Sequence, residues 1–385
     1  MIIELKGVEF ENKGAELMLH SVLSRIEEYW PDAEIALTPS GKAPYLKRAR
    51  LGTWQKLSIR KLYFDFNDLT YYLPKRLRNW LKKWGIVTEA DIDMIIDASG
   101  FSYSDQWDPA MSIRHLAGEI NRQAKHKKPY IFMPQAFGPF SAAPVRKNIR
   151  KSFKNAALVC ARESDSYSHL HNITGDLPHL KIFGDFTNVE KGIVPTYFFE
   201  GQNKACIVPN KNMINPRNKN KSWLNSYKKT LIDAIKIYQE KGLTPFFLNH
   251  EGKEDGQLID EINQSLSTPL TVIYEEDPIA VKGIIANCKA VLCSRFHGCV
   301  SALSNDIACI GTSWSHKYER LYDGYEASTL LLSPNVSTDE LKDIITLSLN
   351  EEADVQNNIK KKSKYFKEQT EELWQTVVNA SKKFK

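Results

Sequence analysis

Ala290-Val291-Leu292-Cys293-Ser294-Arg295-Phe296-His297-Gly298-Cys299-Val300-Ser301-Ala302-Leu303 runs from four apolar residues through a polar turn into a small-residue apolar segment. The unbroken apolar quartet suits a strand buried on both faces of a parallel sheet. The segment from Cys299 to Leu303 suits a helix packed closely on that sheet. Arg295 and His297 therefore fall on a strand-to-helix turn, where Gly298 lets backbone approach a ligand closely. The first N–H groups of the helix make such a turn an anion site. Arginine pairs bidentately with phosphate or carboxylate, and histidine exchanges a proton near neutral pH. The bland alternative, an ion-paired Arg295 and a capping His297, is less favoured at a carboxyl strand end beside a glycine.

The same grammar extends in both directions. Apolar runs occur at Met1–Leu5, Met94–Ala98, Tyr130–Met133, Leu158–Ala161 and Leu180–Phe183, then at Ala205–Val208, Pro245–Leu248, Thr271–Tyr274 and Ala308–Gly311. Amphipathic segments such as Glu16–Trp30 and Ser226–Lys241 separate some of them, the latter stopping before Gly242. Strand alternating with helix predicts an α/β architecture, and about ten strands exceed what one such sheet usually needs. The expectation is two Rossmann-like domains facing a cleft: 1–200, with a basic-aromatic insertion at 42–83, and 201–350. A C-terminal helix, 351–385, is expected to pack back across the seam.

Composition agrees with an ordinary globular chain. The 385 residues are 42% apolar and 25% charged, which excludes a disordered chain or a coiled-coil rod. No apolar window is long enough to span a membrane, and no basic-then-apolar leader opens the sequence, so a cytoplasmic protein is expected. The six cysteines show no common zinc spacing and read as buried thiols.

Other strand ends carry polar turns. Asn12, Lys13 and Gly14 follow the first strand, at the place where a doubly wound fold puts a ligand loop, yet no G-x-G-x-x-G or P-loop is present. Asp97 with Gly100, Gln135 on the rigid turn Pro134–Pro139, and Arg162 as a second anion ligand occupy successive ends. His250 and Glu251 follow Pro245–Leu248; either could serve acid/base work, with capping favoured for Glu251. Ser315, His316 and Lys317 either line the same pocket as Arg295, or leave His316 on the surface and Lys317 solvated.

One stretch breaks the pattern. Lys42–Lys83 holds twelve Lys/Arg against two Asp, interleaved with Tyr45, Trp54, Tyr63, Phe64, Phe66, Tyr71, Tyr72 and Trp80. An inserted helical hairpin with an aromatic core and solvated lysines ranks first. Docking on an anionic membrane surface ranks second and nucleic acid third; no nucleic-acid partner is expected.

The ordered set Asn12-Lys13-Gly14-Ala15-Glu16, Asp97-Ala98-Ser99-Gly100, Pro134-Gln135 with Gly138-Pro139, Ala161-Arg162-Glu163-Ser164, Asp185, Pro209-Asn210 and Ser294-Arg295-Phe296-His297-Gly298 resembles the polysaccharide pyruvyl transferase family. The resemblance covers most of residues 1–330; Lys42–Lys83 matches no part of it. It implies a GT-B-type pair of Rossmann-like domains, with 1–200 on the acceptor side and 201–350 on the phosphoenolpyruvate side. It also implies transfer of a pyruvyl group from phosphoenolpyruvate, as donor substrate and without a cofactor or metal, to two hydroxyls of a sugar. The product is a cyclic ketal on an exopolysaccharide or capsule repeat unit. In that chemistry Arg295 and Arg162 would bind the anionic donor, and His297 would protonate C3 as general acid. Asp97 would orient or deprotonate an acceptor hydroxyl, and Asn12, Gly14, Gly298, Gln135, Ser315, His316 and Lys317 would line the substrate site. The basic-aromatic stretch motivates a lipid-linked oligosaccharide acceptor and a peripheral contact with the inner membrane surface. The alternatives are a nucleotide-sugar-dependent glycosyltransferase of the same architecture and, well behind, a non-catalytic surface binder.

Overall fold

The computed structural model describes residues 1–61, 64–107, 109–215 and 221–382. Tyr63, one of the interleaved aromatics, lies outside them. The chain divides into two compact units. One comprises Met1–Phe10, Met18–Phe186 and Gln369–Lys385; the other comprises Glu11–Leu17 and Thr187–Glu368.

The first unit is built on strands β1 (Ile2–Lys6), β2 (Glu34–Leu37), β3 (Trp54–Lys56), the small antiparallel pair β4 (Arg60–Lys61) and β5 (Phe64–Asp65), then β6 (Ile86–Val87), β7 (Met94–Asp97), β8 (Tyr130–Gln135), β9 (Leu158–Ala161) and β10 (Leu180–Ile182). Eight of them form one parallel sheet in the order β10-β9-β8-β7-β1-β2-β3-β6. The central strands β7, β8 and β9 are buried along their whole length, as unbroken apolar runs require. Ile95, Phe132 and Val159 from these strands share a core with Ile113 and Ile120 of the helix Ala110–Lys125.

The second unit carries β11 (Lys204–Val208), β12 (Thr244–Asn249), β13 (Val272–Tyr274), β14 (Ala290–Cys293), β15 (Cys309–Thr312) and β16 (Leu331–Leu332). They form a parallel sheet in the order β13-β12-β11-β14-β15-β16. Its faces are covered by helices that include Trp223–Glu240, whose Trp223, Tyr227, Leu231 and Ile235 are buried against the strands.

All ten apolar runs are strands. The additional sheet strands are two to four residues long: β2 and β3 mix charge with apolar character, and β6 and β16 are apolar pairs too short to show a period, so none carries a strand signal of its own. The main run of the second unit starts at Thr187, ahead of the expected 201, and the unit also takes in Glu11–Leu17. Lys282 Nζ donates to the Thr187 carbonyl at 2.7 Å, and Phe198 packs on Phe246 with ring centroids 5.5 Å apart. Those contacts commit 187–200 to the second sheet. The helix Asp354–Lys382 contributes Ile359 and Phe366 to the second unit, Phe366 lying 4.9 Å from the Tyr325 ring. Its last turns belong to the first, where Trp374 is buried and stacks on Tyr29 at 6.4 Å.

The 42–83 stretch is not a helical hairpin with an aromatic core. It comprises the short helix Tyr45–Arg50, β3, the β4–β5 pair, a 3₁₀ turn Asn67–Tyr72 and the helix Lys75–Lys82. Tyr45, Phe64, Phe66, Tyr72 and Trp80 are exposed, whereas Lys56 and Arg48 are buried. The inversion follows from β3 joining the sheet. Lys56 is drawn inside, where its ammonium donates to Glu4 Oε2 and, at 2.8 Å, to Glu119 Oε1. The neighbouring cations Lys56, Lys6 and Arg60 hold the buried Glu119 carboxyl well below the usual carboxylate range, against the opposing effect of burial. Among the described residues no helix is long and apolar enough to cross a membrane.

Candidate active site

The second unit builds its site on the turn after β14. Ser294 is buried and pinned from every side. Its N–H donates to the Val208 carbonyl at 2.9 Å, and its hydroxyl accepts from Tyr227 at 2.6 Å and Thr312 at 2.8 Å. Its carbonyl accepts from Asn210 Nδ2 at 2.8 Å and Tyr318 at 2.9 Å. Five bonds from four strand ends and helices fix the backbone that aims Arg295 and His297. The sequence placed Asn210 in the resemblance but offered no sign that Tyr227 and Tyr318 converge here. Gly298 has a packing reason: a Cβ there would sit 2.4 Å from Cys293 Sγ.

Arg295 does not present an open guanidinium. Its Nε and Nη2 donate to Asp255 Oδ2 and Oδ1 at 2.9 and 2.6 Å, and Nη1 pairs with Glu251. Burial pulls the Arg295 guanidinium down and pushes the Asp255 carboxyl up. The two-pronged contact sets two short hydrogen bonds against that cost of burial. The two carboxylates differ: Asp255 is fully buried, while the Glu251 side chain is 27% exposed. Glu251 stands at the N-cap position of the helix Gly252–Asn263 yet makes no side-chain cap bond, so the capping expectation is corrected. Arg295 and Asn12 take its carboxylate instead, the latter through an Nδ2 bond of 3.0 Å.

Asn12 also caps the helix Lys13–Tyr29, its Oδ1 accepting from the Gly14 and Ala15 N–H groups at 2.9 and 3.2 Å. This turn meets the Ser294–Gly298 turn tightly. A Cβ on Gly14 would lie 2.1 Å from His297 Nδ1, so only glycine fits while His297 keeps this rotamer. His297 itself is half-buried on the first turn of its helix. His250 lies close behind it, buried, with its Cδ2 3.9 Å from where a Gly298 Cβ would stand. Its Nδ1 has no hydrogen-bond partner among the described residues. Burial, with Arg295, His297 and Lys13 nearby, pushes the His250 imidazole well below its ordinary value and keeps it neutral.

Lys317 joins the same neighbourhood, its ammonium over the rings of Phe296, Trp314 and Tyr318 at 5.0, 5.2 and 5.6 Å. Ser315 and His316 open the helix His316–Gly324, both half-buried.

Asp97, Gln135 and Arg162 form a separate set at the carboxyl ends of β7, β8 and β9 in the first unit. Gln135 Nε2 donates to the Asp97 carbonyl at 3.4 Å, and the Arg162 N–H donates to the Gln135 carbonyl at 3.0 Å. Asp97 is fully buried. Oδ1 accepts from the Ser99 N–H at 3.1 Å and its hydroxyl, and Oδ2 from Tyr103 at 2.8 Å and Tyr130 at 2.7 Å. Both oxygens are occupied, which removes the expectation that Asp97 acts directly on an acceptor hydroxyl. Arg162 is buried beside Asp185, with Nη1 3.4 Å from Oδ2.

The model of the family described as polysaccharide pyruvyl transferase matches residues 12–316, from the Asn12 cap to the start of the helix after β15. The chain belongs to the polysaccharide pyruvyl transferase family. The match spans both the Asn12–Gly14 turn and the Ser294–Gly298 turn that meets it. A search of curated proteins finds no match. Among solved structures, the UDP-GlcNAc 2-epimerase of Neisseria meningitidis bound to UDP-GlcNAc is similar at a TM-score of 0.60, with 10% identity over 98% of this chain and 99% of that one. The Methanocaldococcus jannaschii UDP-GlcNAc 2-epimerase, in complex with UDP-GlcNAc and UDP, gives 0.52 at 12% identity, covering 91% and 93%. The Escherichia coli trehalose-6-phosphate structure bound with UDP-2-fluoro glucose gives 0.52 at 8% identity, covering 99% of each. At such identities the likeness is one of fold. This pyruvyl transferase family member has the GT-B-type pair of Rossmann-like domains.

Proposed function

We propose that this pyruvyl transferase family member uses phosphoenolpyruvate as donor and closes a cyclic ketal on two hydroxyls of a sugar in a polysaccharide repeat unit. The observation that carries the reading is the contact of the Gly14 turn with His297, beside an arginine held by one buried and one half-exposed carboxylate.

His297 protonates C3 of the enol while a sugar hydroxyl adds at C2; that hydroxyl's proton passes to a base. The tetrahedral adduct expels phosphate, and the second hydroxyl attacks C2 to close the ring, its proton leaving with the departing dianion. The two imidazoles sit in different environments: half-buried His297 gives the proton, while His250, buried beside cations, stays neutral and adds no like charge behind it. The donor's carboxylate takes the Nη1 edge of Arg295 by displacing Glu251, while Asp255 holds the other edge in place. Lys317 supplies a second cation beside Phe296. Arg162 and Asp97 hold the strand ends of the first unit rather than touching donor or acceptor.

Phosphate release from phosphoenolpyruvate in the presence of a sugar acceptor tests this. Wild type releases phosphate; His297→Ala, with an unchanged melting curve, does not. Thermal protection by UDP and none by phosphoenolpyruvate would overturn the reading in favour of a nucleotide-sugar transferase.

A further inference from the structure

The helix Lys75–Lys82 contains no buried residue. A helix that gives nothing to the core has no folding reason to carry large apolar side chains, yet Leu77 and Trp80 are 41% and 53% exposed, and Trp84 just beyond its end 69%. Positions 77, 80 and 84 are spaced to share one helical face. The Trp80 and Trp84 rings touch edge to face, 6.2 Å apart, as a preformed aromatic ridge. Lys75, Arg76 and Lys83 around it are exposed. Asp91, the acidic residue that pairs with this helix, is consumed by Arg78 at 2.7 Å and Lys82 at 3.7 Å. Immediately before the helix, Tyr72 is 72% exposed.

We propose that this face docks on an anionic phospholipid surface. Tryptophan and tyrosine settle at the level of lipid headgroups, their rings apolar and their N–H and O–H groups wet, and lysine and arginine reach anionic phosphates from the flanks. A second copy of the chain would bring a like-charged ridge against this one, so charge complementarity favours the bilayer. Docking seats the first unit on a membrane without a spanning helix, as an acceptor presented on a lipid carrier would require. The inference adds a surface to the proposed function without depending on the donor or on His297.

Co-sedimentation of the full chain with vesicles of phosphatidylcholine, with and without phosphatidylglycerol, tests it. The expected result is binding to the anionic vesicles only, weakening as salt rises. Trp80→Ser/Trp84→Ser and Lys75→Glu/Arg76→Glu, both on exposed positions and with wild-type melting curves, each reduce partitioning about tenfold or more. Absence of binding to anionic vesicles at low salt, or binding unchanged by both variants, would overturn it. So would a wild-type dimer that the tryptophan variant dissociates, because the ridge would then be a subunit interface. Because no phosphoenolpyruvate or sugar enters the assay, its failure leaves the pyruvyl-transfer reading intact, and failure of that reading leaves this one.

Discussion

Two sets of polar residues stand at strand ends in this protein, one in each unit, and they are finished to different degrees. Around Asp97, every lone-pair direction has a donor and the carboxylate is sealed from solvent, although the neighbouring Gln135 Oε1 has no partner among the described residues. Around Arg295 and His297, the charges are balanced but not closed. Glu251 is partly exposed, His250 Nδ1 has no bond among the described residues, and His297 is half-buried. A saturated buried network rigidifies its surroundings, whereas a set with exchangeable partners is where a ligand can enter at little cost. Similar residue types at equivalent topological positions thus differ in role because of how many donors surround them.

The sharpest way to break that contrast is to delete one group from each set. His297→Ala should lower phosphate release about 10²- to 10⁴-fold with little change in Tm. Asp97→Ala should do the reverse at the level of folding, costing about 3 kcal/mol or more as Tyr103, Tyr130 and Ser99 lose their acceptor. A stable, active Asp97→Ala enzyme would show that the first set is not structural. Gly14→Ala comes next. The new methyl must push His297 from its rotamer, so kcat should fall about tenfold or more, while the melting temperature, read by calorimetry, stays near wild type.

A pH series separates the sets further. His250 is neutral when folded and ordinary when unfolded, so below about pH 6.5 the unfolded chain binds the extra proton and stability falls as pH drops. The slope approaches about 1.4 kcal/mol per pH unit. Denaturant titrations between pH 7 and 5 should show that slope reduced in His250→Gln. The smallest effect expected is in Glu251→Gln, which keeps the acceptor for Asn12 but removes the negative charge competing for Nη1. Phosphoenolpyruvate should bind several-fold tighter by calorimetry, and looser binding would mean that Glu251 is not the group displaced.

Much of this was legible beforehand. The outer strands β10 and β13 are short and mostly exposed. The other eight of the ten apolar runs were readable because a strand buried on both faces has to be written almost wholly in apolar residues. The polar turns after them were readable because loops in such sheets gather at carboxyl ends. Trp54-Gln55-Lys56 was not, since its place comes from β2 and β6 on either side rather than from its own pattern. The composition of 42–83 predicts an aromatic core with solvated lysines, whereas the fold puts Lys56 inside and leaves most of the described rings out.

Arg295 makes the division plain. That a guanidinium and an imidazole would stand two positions apart on a strand-to-helix turn is a property of local chain order, set by short-range periodicity and by Gly298. Which carboxylates meet that guanidinium, and whether they leave it an open edge, was decided only when β12 and β14 were laid either side of β11 in one sheet. That arrangement brings Glu251 and Asp255 up to Arg295, because Coulomb pairing depends on distance in space and chain order carries no record of it.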